Sequence, residues 1–418
     1  MIIRKKYLFY ALALTSSLIA AFVTTMDSYI SNTFFHDVDP LKSAVAFCFS
    51  LFFVGMIATF IISVILSIQR KGKSIGSILL DPSFKRLRFV QKSELKHHLS
   101  AGLMNAINTI GYCALIALVY DPSVLVSFSQ IVILYLLMIE SITEKNIPTL
   151  SEVQSSIIVT FGAILASISL QGEINIPSLL IVFLVINPTW AFFSILQRKL
   201  KTMRINGKLN DAINIRFWNV VFSWLFTTLI ILIWDLASGT QYIISGILAV
   251  AHVFPWLFLT MGTTFFSYVL YIRSLGLGNA SVNNALRAST IIFALPFSLI
   301  LAMYGFTQFS SDPVLLIVKV IGMVLIIMGI ITFALTQVKA YIFITLKPGH
   351  ARKEVIKKLW DIPGVSHVTA TAGKYDFIVK VSTRTLVKGY ERIIRRIDEI
   401  HEVESYKWNS VLKDWENI

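Results

Sequence analysis

The stretch Ala44–Ser67 reads AVAFCFSLFFVGMIATFIISVILS, without a single charged residue. A helix needs about 20 apolar residues to cross the hydrocarbon core of a bilayer, so this stretch predicts a membrane span. The rest of the chain has the same character, since 56% of its 418 residues are hydrophobic and only 14% are charged. Soluble domains carry about 25% charged residues, so the composition favours a membrane protein.

On either side of this stretch, further apolar segments have the length of a membrane span. Each must be helical, because unpaired backbone groups are too costly in hydrocarbon. The first segment is longer than the core of a signal peptide, so we expect it to remain in the protein. We predict ten spans, at residues 8–30, 44–67, 99–119, 122–141, 151–170, 178–197, 214–234, 243–272, 281–304 and 313–337.

The basic residues predict the orientation of the spans. They occur in the N-terminal tail and in the loops after the even-numbered spans, whereas the opposite loops contain only Lys42. Because basic loops stay in the cytoplasm, both termini are expected there, in a multi-pass protein of the cell membrane with an even number of spans. Eight spans also satisfy this rule, but ten fit the apolar segments better. The net charge of +14 is thus explained without nucleic-acid binding.

A sequence pattern recurs in the two halves of the apolar region. Spans three to five contain Tyr112, then an apolar helix, then Gly162. Spans eight to ten contain Tyr271, then an apolar helix, then Gly322 and Gly329. Apolar helices also resemble one another by composition alone. A true repeat of five spans would insert the second half (171–338) upside down relative to the first (1–170). Such inverted repeats are typical of transporters whose substrate site lies between the halves.

Residues 8–337 resemble the drug/metabolite transporter superfamily in its EamA-type, ten-helix form. The resemblance rests on Pro122-Ser-Val-Leu-Val-Ser-Phe-Ser-Gln130 and Thr143-Glu144-Lys145, followed by Gly162, and on Asn279-Ala-Ser281, Leu286, Pro296, Gly322 and Gly329. It implies export or import of a small metabolite by alternating access. The second half has no acidic residue at the position of Glu144, and the loop at about 67–99 is long.

The composition changes at about residue 339 to alternating apolar and charged residues. The period-two and helical patterns predict strands at 340–346, 365–372, 377–382 and 403–411 and helices at 350–360 and 384–400. This order, βαββαβ, predicts an α+β ferredoxin-like domain over 339–418.

The tail resembles the ligand-binding domain of the Lrp/AsnC family. The matching residues are Leu346-Lys-Pro-Gly349, Ile362-Pro-Gly-Val365, Gly373-Lys-Tyr-Asp376 and Val403. The resemblance implies pairing through the sheets into a homodimer and an amino-acid site that includes the motif residues Gly373, Tyr375 and Asp376. The helix-turn-helix that usually precedes this domain is missing, so no nucleic-acid partner is expected.

Basic and amide side chains within the predicted spans are candidates for substrate binding. A charge at the bilayer centre costs roughly 2.5–3.5 kcal/mol on insertion scales, which makes function the default explanation. Arg287 shares a helix face with Asn283 and Asn284. It would bind a carboxylate or phosphate of a substrate, pair with an acidic side chain, or extend to the cytoplasmic interface. For Arg216, near the start of the seventh span, extension to the interface is favoured.

Neutral and acidic groups add further candidates. Asn105, Asn108 and Tyr112 form one stripe along the third span, which lines either a cavity or a helix–helix contact. Gln130 and Trp190 lie on neighbouring spans. Asp27 and Glu140 are candidates for ion coupling, although solvation at the interface explains Asp27 equally well.

The function that these patterns favour is secondary transport of a small polar or amphipathic, amino-acid-like metabolite, with a cytoplasmic domain that senses a ligand or dimerises. The alternative is a membrane sensor that no longer transports and binds an amino acid through its tail. The chain contains no catalytic or ATP-binding signature, so an enzyme or pump is not expected. Neither a cofactor nor a metal is predicted.

Overall fold

The structure is a computed structural model. It describes residues 5–35, 39–118, 125, 129–143, 150–166, 176–205, 207–278, 280–305, 313–335, 338–349, 352–362, 364–383 and 386–410. Contacts divide the chain into two compact units. We call residues 1–139 and 156–330 the helical unit, and residues 140–155 and 331–418 the tail unit. The predicted boundary between the two repeats, at residue 170, lies within the helical unit.

Among the described residues, six helices are long and apolar enough to cross a membrane, which indicates a membrane protein. They are α1 (Lys5–Phe34), α2 (Pro40–Ser67), α4 (Lys92–Leu118), α7 (Ile176–Thr202), α8 (Ala212–Ser238) and α9 (Tyr242–Leu275). Shorter helices are α3 (Ile75–Leu79), α5 (Val132–Thr143), α6 (Leu150–Ala166), α10 (Ala280–Arg287), α11 (Thr290–Met303) and α12 (Pro313–Leu335).

The outer faces of the long helices are apolar. Leu184 is 70% exposed, Leu236 is 78% exposed and Leu248 is 65% exposed. Water would solvate such surfaces poorly, whereas lipid solvates them well. The exposed side chains therefore agree with the composition in requiring an apolar solvent around this unit.

The other four predicted spans coincide with the shorter helices. Glu144, Lys145 and most of the Pro122–Gln130 motif lie outside the described residues or have side chains that do. The ninth predicted span consists of two helices, α10 and α11, which are separated at Ala288 and Ser289. Thr290 Oγ1 donates to the Arg287 carbonyl oxygen at 2.5 Å. A hydroxyl that bonds the backbone in this way competes with regular helical pairing.

Glycines allow the helices of this unit to approach closely. A Cβ atom on Gly102 of α4 would lie 2.5 Å from the Cβ of Phe222 in α8. A Cβ atom on Gly162 of α6 would lie 2.6 Å from the carbonyl oxygen of Gly322 in α12. These two positions have no room for a larger residue. Small residues at helix contacts are the usual means by which membrane helices pack.

A buried polar network joins the segment between α2 and α4 to the segment between α7 and α8. Lys201 Nζ donates to the Asp81 carboxylate at 2.6 Å and to the Asn210 carbonyl oxygen at 2.7 Å. Arg88 pairs with Glu94, and the Asn210 amide donates to Glu94 at 2.9 Å. Two short hairpins, β1 and β2 (Gln69–Arg70, Lys73–Ser74) and β3 and β4 (Arg204–Ile205, Lys208–Leu209), flank this network.

The tail unit contains a four-stranded antiparallel sheet. Its elements are β5 (Val338–Leu346), α13 (Arg352–Trp360), β6 (Val365–Ala370), β7 (Phe377–Thr383), α14 (Leu386–Asp398) and β8 (Val403–Ser410). The order in the sheet is β6-β7-β5-β8. The element order is the one that the sequence predicts. Alternate strand residues and the inner faces of both helices form the core, with Phe377, Val379, Val381, Leu359 and Ile397 fully buried.

The contact at Gly102 predicts a steric effect on stability. Gly102→Ala places a methyl group against Phe222, and overpacking of this kind costs about 1–3 kcal/mol. We expect a lower melting temperature of the purified protein in detergent, measured by intrinsic fluorescence. Gly262→Ala is the matched control, because its Cβ would lie 3.6 Å from Ile62 Cδ1, at ordinary contact distance. Equal melting temperatures for the two variants would contradict the close packing of α4 on α8.

The Asp81–Lys201 pair predicts a pH-dependent contribution to stability. Burial raises the pKa of the Asp81 carboxyl, but the charge and hydrogen bond of Lys201 and the N–H groups of Ala212 and Ser83 outweigh it, so the pKa lies below its ordinary value. The stabilisation is therefore complete above about pH 3.9, the unfolded-state value, and is lost as the pH falls through the lower folded-state pKa.

We expect Asp81→Asn to cost about 3–5 kcal/mol at pH 7, because it leaves Lys201 buried without its carboxylate. The difference in melting temperature between the wild type and the variant should shrink on acidification below about pH 4. Asp398→Asn, at an exposed position of α14, serves as the control. A difference that is the same at pH 7 and pH 3 would show that the carboxylate charge is not what stabilises the fold.

Candidate functional site

A cavity of about 180 Å³ lies inside the helical unit. One buried water needs roughly 15 Å³, so the cavity has room for about a dozen waters or for one small molecule. Apolar side chains such as Leu51, Phe52 and Met261 form much of its wall. Of the residues predicted from the sequence, it is lined by Asp27, Asn105, Asn108, Tyr112, Trp190, Asn284 and Arg287. The described part of the chain thus brings most of the predicted membrane site together.

Asp27 provides an acidic group on the wall of this cavity. Its side chain is 5% exposed, so it is not solvated at an interface in this structure. The carboxylate accepts a hydrogen bond from Thr260 Oγ1 at 2.8 Å and from the Tyr112 hydroxyl at 3.3 Å. These donors come from α9 and α4, so the carboxylate links three helices.

Asn284 is held by two aromatic residues. Its Oδ1 accepts from Trp190 Nε1 at 3.2 Å, and its Nδ2 donates to the Tyr271 hydroxyl at 3.2 Å and to the Ala280 carbonyl oxygen at 2.9 Å. The Tyr271 hydroxyl in turn donates to Ser194 Oγ at 2.8 Å. The amide is therefore fixed in orientation, and it positions the rings that lie next to Arg287.

Arg287 lies among these aromatic rings. Its guanidinium carbon is 4.6 Å from the ring centroid of Tyr271, 4.9 Å from that of Trp190 and 5.4 Å from that of Tyr268. One terminal nitrogen of this guanidinium is buried without a hydrogen-bond partner among the described residues. The ion pairs found in that part of the chain join other residues, so Arg287 has no carboxylate partner there.

Arg216 lies at the same cavity, which the sequence did not indicate. It is only 2% exposed, so it does not extend to an interface as expected. Its guanidinium carbon lies 4.1 Å from the Tyr268 centroid, and its NH1 nitrogen donates to Asn219 at 3.5 Å. The Nε atom is buried without a partner among the described residues. Tyr268 is therefore in contact with both guanidinium groups.

The energetics of this pair are unfavourable without a further partner. Taking one ion out of water costs several kcal/mol in a real protein, and arginine does not lose its charge to avoid this cost. A desolvated cation–π contact returns about 2 kcal/mol. The aromatic rings thus offset only part of the cost of burying Arg216 and the partnerless terminal nitrogen of Arg287. The cavity remains suited to an anionic group.

The remaining predicted membrane residues have different surroundings. Asn105 Nδ2 donates to Ser223 Oγ at 2.8 Å, so this member of the stripe makes a helix–helix contact as well as lining the cavity. Asn108 accepts from Thr189 at 3.5 Å. Asn283 is buried but does not line the cavity, and its Oδ1 accepts from Ser274 at 2.9 Å. The side chains of Gln130 and Glu140 lie outside the described residues.

Helix α7 is irregular where it reaches the cavity. Val182–Ile186 forms a π-helical turn immediately before Asn187 and Pro188. Proline has no N–H group, so a carbonyl oxygen in the preceding turn lacks its helical donor. Asn187 Nδ2 donates to the Val182 carbonyl oxygen at 3.0 Å. The Tyr135 hydroxyl donates to the Phe183 carbonyl oxygen at 2.6 Å. Such π-helical turns are frequent at functional sites.

The predicted ligand motif of the tail lies next to the strand β5. The Asp376 carboxylate accepts from the Leu346 N–H at 2.9 Å and from Arg352 at 3.0 Å. The rings of Tyr375 and Phe343 lie 5.1 Å apart. A Cβ atom on Gly373 would meet no atom within 4 Å. Asp376 therefore organises the turn, whereas the space around Gly373 is open.

The described residues contain no group of three His, Cys, Asp or Glu side chains that could hold a metal ion. Cys48 and Cys113 are both buried as free thiols.

Comparison with known proteins identifies one of the two units. Residues 339–416 match the Lrp/AsnC ligand binding domain. No curated protein matches the chain. A solved structure described only as "Crystal structure of protein" is similar at 13% identity, with a TM-score of 0.45 over 77% of this chain and 98% of the other. A similarity of that size carries no functional inference.

The chain thus combines two parts. Its membrane-length helices surround a mostly apolar cavity with a few polar groups, and its C-terminal residues match an Lrp/AsnC ligand-binding domain.

The hydrogen bonds to Asp27 predict an order of stability among variants. Thr260→Val removes the shorter bond to a buried carboxylate and should cost about 1.5–3 kcal/mol. Tyr112→Phe removes the longer bond and should cost less. We expect the melting temperature of the full chain in detergent to fall more for Thr260→Val than for Tyr112→Phe. The reverse order would mean that Tyr112, and not Thr260, is the principal partner of Asp27.

Proposed function

We propose that this protein is a secondary transporter of a small polar or amphipathic metabolite that works by alternating access, with amino-acid-like molecules as first candidates. The observation that carries this proposal is the cavity within the helical unit, at which Asp27, Asn284 and Arg287 converge in an apolar bundle. A concave, mostly apolar site with a few convergent polar groups is the usual form of a small-molecule site.

The helix contacts support an inverted repeat. In the predicted repeat, α1, α2 and α4 correspond to α7, α8 and α9. Helix α1 packs against α9, and the corresponding helices α7 and α4 also pack together. Likewise α2 packs against α9, and its counterpart α8 packs against α4. Gly162 of the fifth predicted span also meets Gly322 of the tenth. This pairing is what a two-fold relation between the halves would produce.

The repeat implies the finer architecture. It has ten spans, including α5, α6, α10 with α11, and α12, with both termini in the cytoplasm. The EamA-type resemblance and the distribution of basic residues support this arrangement. Alternating access would then be a movement of one half against the other around the cavity.

The tail is proposed to have the ferredoxin-like fold and to act as a cytoplasmic ligand-sensing or dimerising domain. The match to the Lrp/AsnC ligand binding domain and the sheet order β6-β7-β5-β8 support this part of the proposal. The tail would form a homodimer and bind a small molecule near Gly373, Tyr375 and Asp376. Neither nucleic-acid binding nor catalysis is proposed.

A second function is favoured by the tail alone. A domain of a ligand-binding family is sufficient for a membrane sensor that binds an amino acid and does not transport. The two functions differ in one measurement, since a sensor binds ligand through the tail without moving any solute across the bilayer.

Purified full-length protein in proteoliposomes separates these possibilities. We expect saturable uptake or exchange of at least one radiolabelled amino acid or related metabolite. Deletion of residues 339–418 tests whether the tail regulates that flux. Binding that depends on the tail, together with no flux for any member of the panel, would establish the sensor and overturn the transporter.

Arg287→Gln provides a specific test of the cavity. We expect it to lower the transport rate at least about tenfold, because hydrogen bonds to charged groups contribute about 1.5–3 kcal/mol. Arg204→Gln is the control, since Arg204 is exposed in β3 and does not line the cavity. Unchanged transport kinetics in Arg287→Gln, with the same amount of folded protein, would remove Arg287 from the site.

A further inference from the structure

Arg216 and Arg287 come from different helices but face the same small space. Both guanidinium carbons lie near the Tyr268 ring, at 4.1 Å and 5.4 Å from its centroid. Because both distances are measured from one point, the two carbons are less than about 10 Å apart, which is about one Debye length at 0.1 M salt. Two positive charges this close repel each other in an apolar interior.

Each of the two guanidinium groups has a nitrogen whose hydrogen-bonding capacity is unused. Arg216 has a buried Nε without a partner, and Arg287 has a buried terminal nitrogen without a partner, within the described residues. Arginine presents its N–H groups in a rigid planar fork that matches the oxygen atoms of a carboxylate or phosphate. Buried donors of this kind, on two residues that line the cavity, need acceptors that the described side chains do not supply.

Asp27 does not neutralise the pair. It lines the same cavity, but its carboxylate accepts from Thr260 and Tyr112 and forms no described ion pair with either arginine. Two guanidinium groups and one carboxylate give the cavity a net positive charge in either protonation state of Asp27. A ligand that places an anionic group next to the arginines complements this charge, whereas a neutral group in the same place leaves it uncompensated.

We propose that Arg216 and Arg287 form a clamp that binds one oxyanion group, a carboxylate or a phosphate, of the molecule that occupies the cavity. This inference rests on the proposed function in one respect, since it assumes that the cavity is the substrate site. Asn284 is a positioning residue in this arrangement, because it fixes the Trp190 and Tyr271 rings against Arg287. The ring of Tyr268 lies within cation–π distance of both guanidinium groups.

Binding to the purified full-length chain tests the clamp independently of transport. The probes are the L-amino acids and their amides, short dicarboxylates and their diamides, and inorganic phosphate, each at millimolar concentration. Thermal stabilisation identifies binders, and calorimetry then gives their affinities. We expect acids to bind and the matched amides, which lack one negative charge in the amino-acid series and two in the dicarboxylate series, to bind at least tenfold more weakly. Phosphate binding without carboxylate binding would assign the clamp to a phosphate group.

A double-mutant cycle then tests whether the two arginines share one group. Arg216→Gln and Arg287→Gln should each weaken anion binding about 10- to 100-fold, since each removes a charged hydrogen bond. If both arginines bind the same oxyanion, the anion affinity of the double variant should be close to that of the more impaired single variant. If the fold-losses of affinity in the two single variants multiply in the double variant, the arginines bind two separate anionic groups. That result would overturn the shared clamp.

Controls keep the outcome interpretable. Arg204→Gln removes an exposed arginine and should leave affinity unchanged. If Arg216→Gln does not fold, Arg216→Lys retains the charge without the planar fork and should bind acids more weakly while still preferring them to amides. Equal binding of acids and amides, or no binding of any anion, would overturn the clamp. Anion binding without transport would overturn the transporter and leave the clamp intact.

Discussion

Burial of charge in an apolar bundle is the constraint on which the rest of this structure depends. Side chains such as Leu184 and Leu236 face outward, so the interior has to accommodate the polar groups. Arg216 is only 2% exposed, so solvent compensates little of its charge. The buried charge of Lys201 is paired with the Asp81 carboxylate at 2.6 Å. Among the described residues, the two arginines at the cavity contact aromatic rings instead of a carboxylate. The first arrangement stabilises the fold, and the second leaves binding capacity.

The cavity exists because the helices that enclose it combine close packing with local irregularity. Glycine at position 102 brings α4 within van der Waals contact of α8, which fixes the wall that carries Asn105 and Arg216. The interruption at Ala288 and Ser289 comes immediately after Arg287, so the first of the two helices ends where the cation lies. Regular helices would have formed a more continuous core with less space for a ligand.

The sequence predicted the features that depend on local patterns. Apolar length was enough to predict the six long helices, and period-two alternation was enough for β7, where Phe377, Val379 and Val381 are buried. The stripe of Asn105, Asn108 and Tyr112 follows from helical spacing. Arg216 was misplaced because its partner, the ring of Tyr268, lies on another helix, and a position near the start of a span favours solvation at the interface. The choice between Asn283 and Asn284 likewise depends on tertiary packing, which helical spacing alone does not provide.

The π-helical turn at Val182–Ile186 holds one residue more than an α-helix would need over the same length. If that extra residue moved along α7, the residues that it passed would turn by about 100° about the helix axis, since each α-helical residue spans that angle. Passage beyond Trp190 would turn its ring away from Arg287 and break its hydrogen bond to Asn284. A shift of this turn would therefore change which α7 side chains line the cavity while both ends of the helix stayed in place.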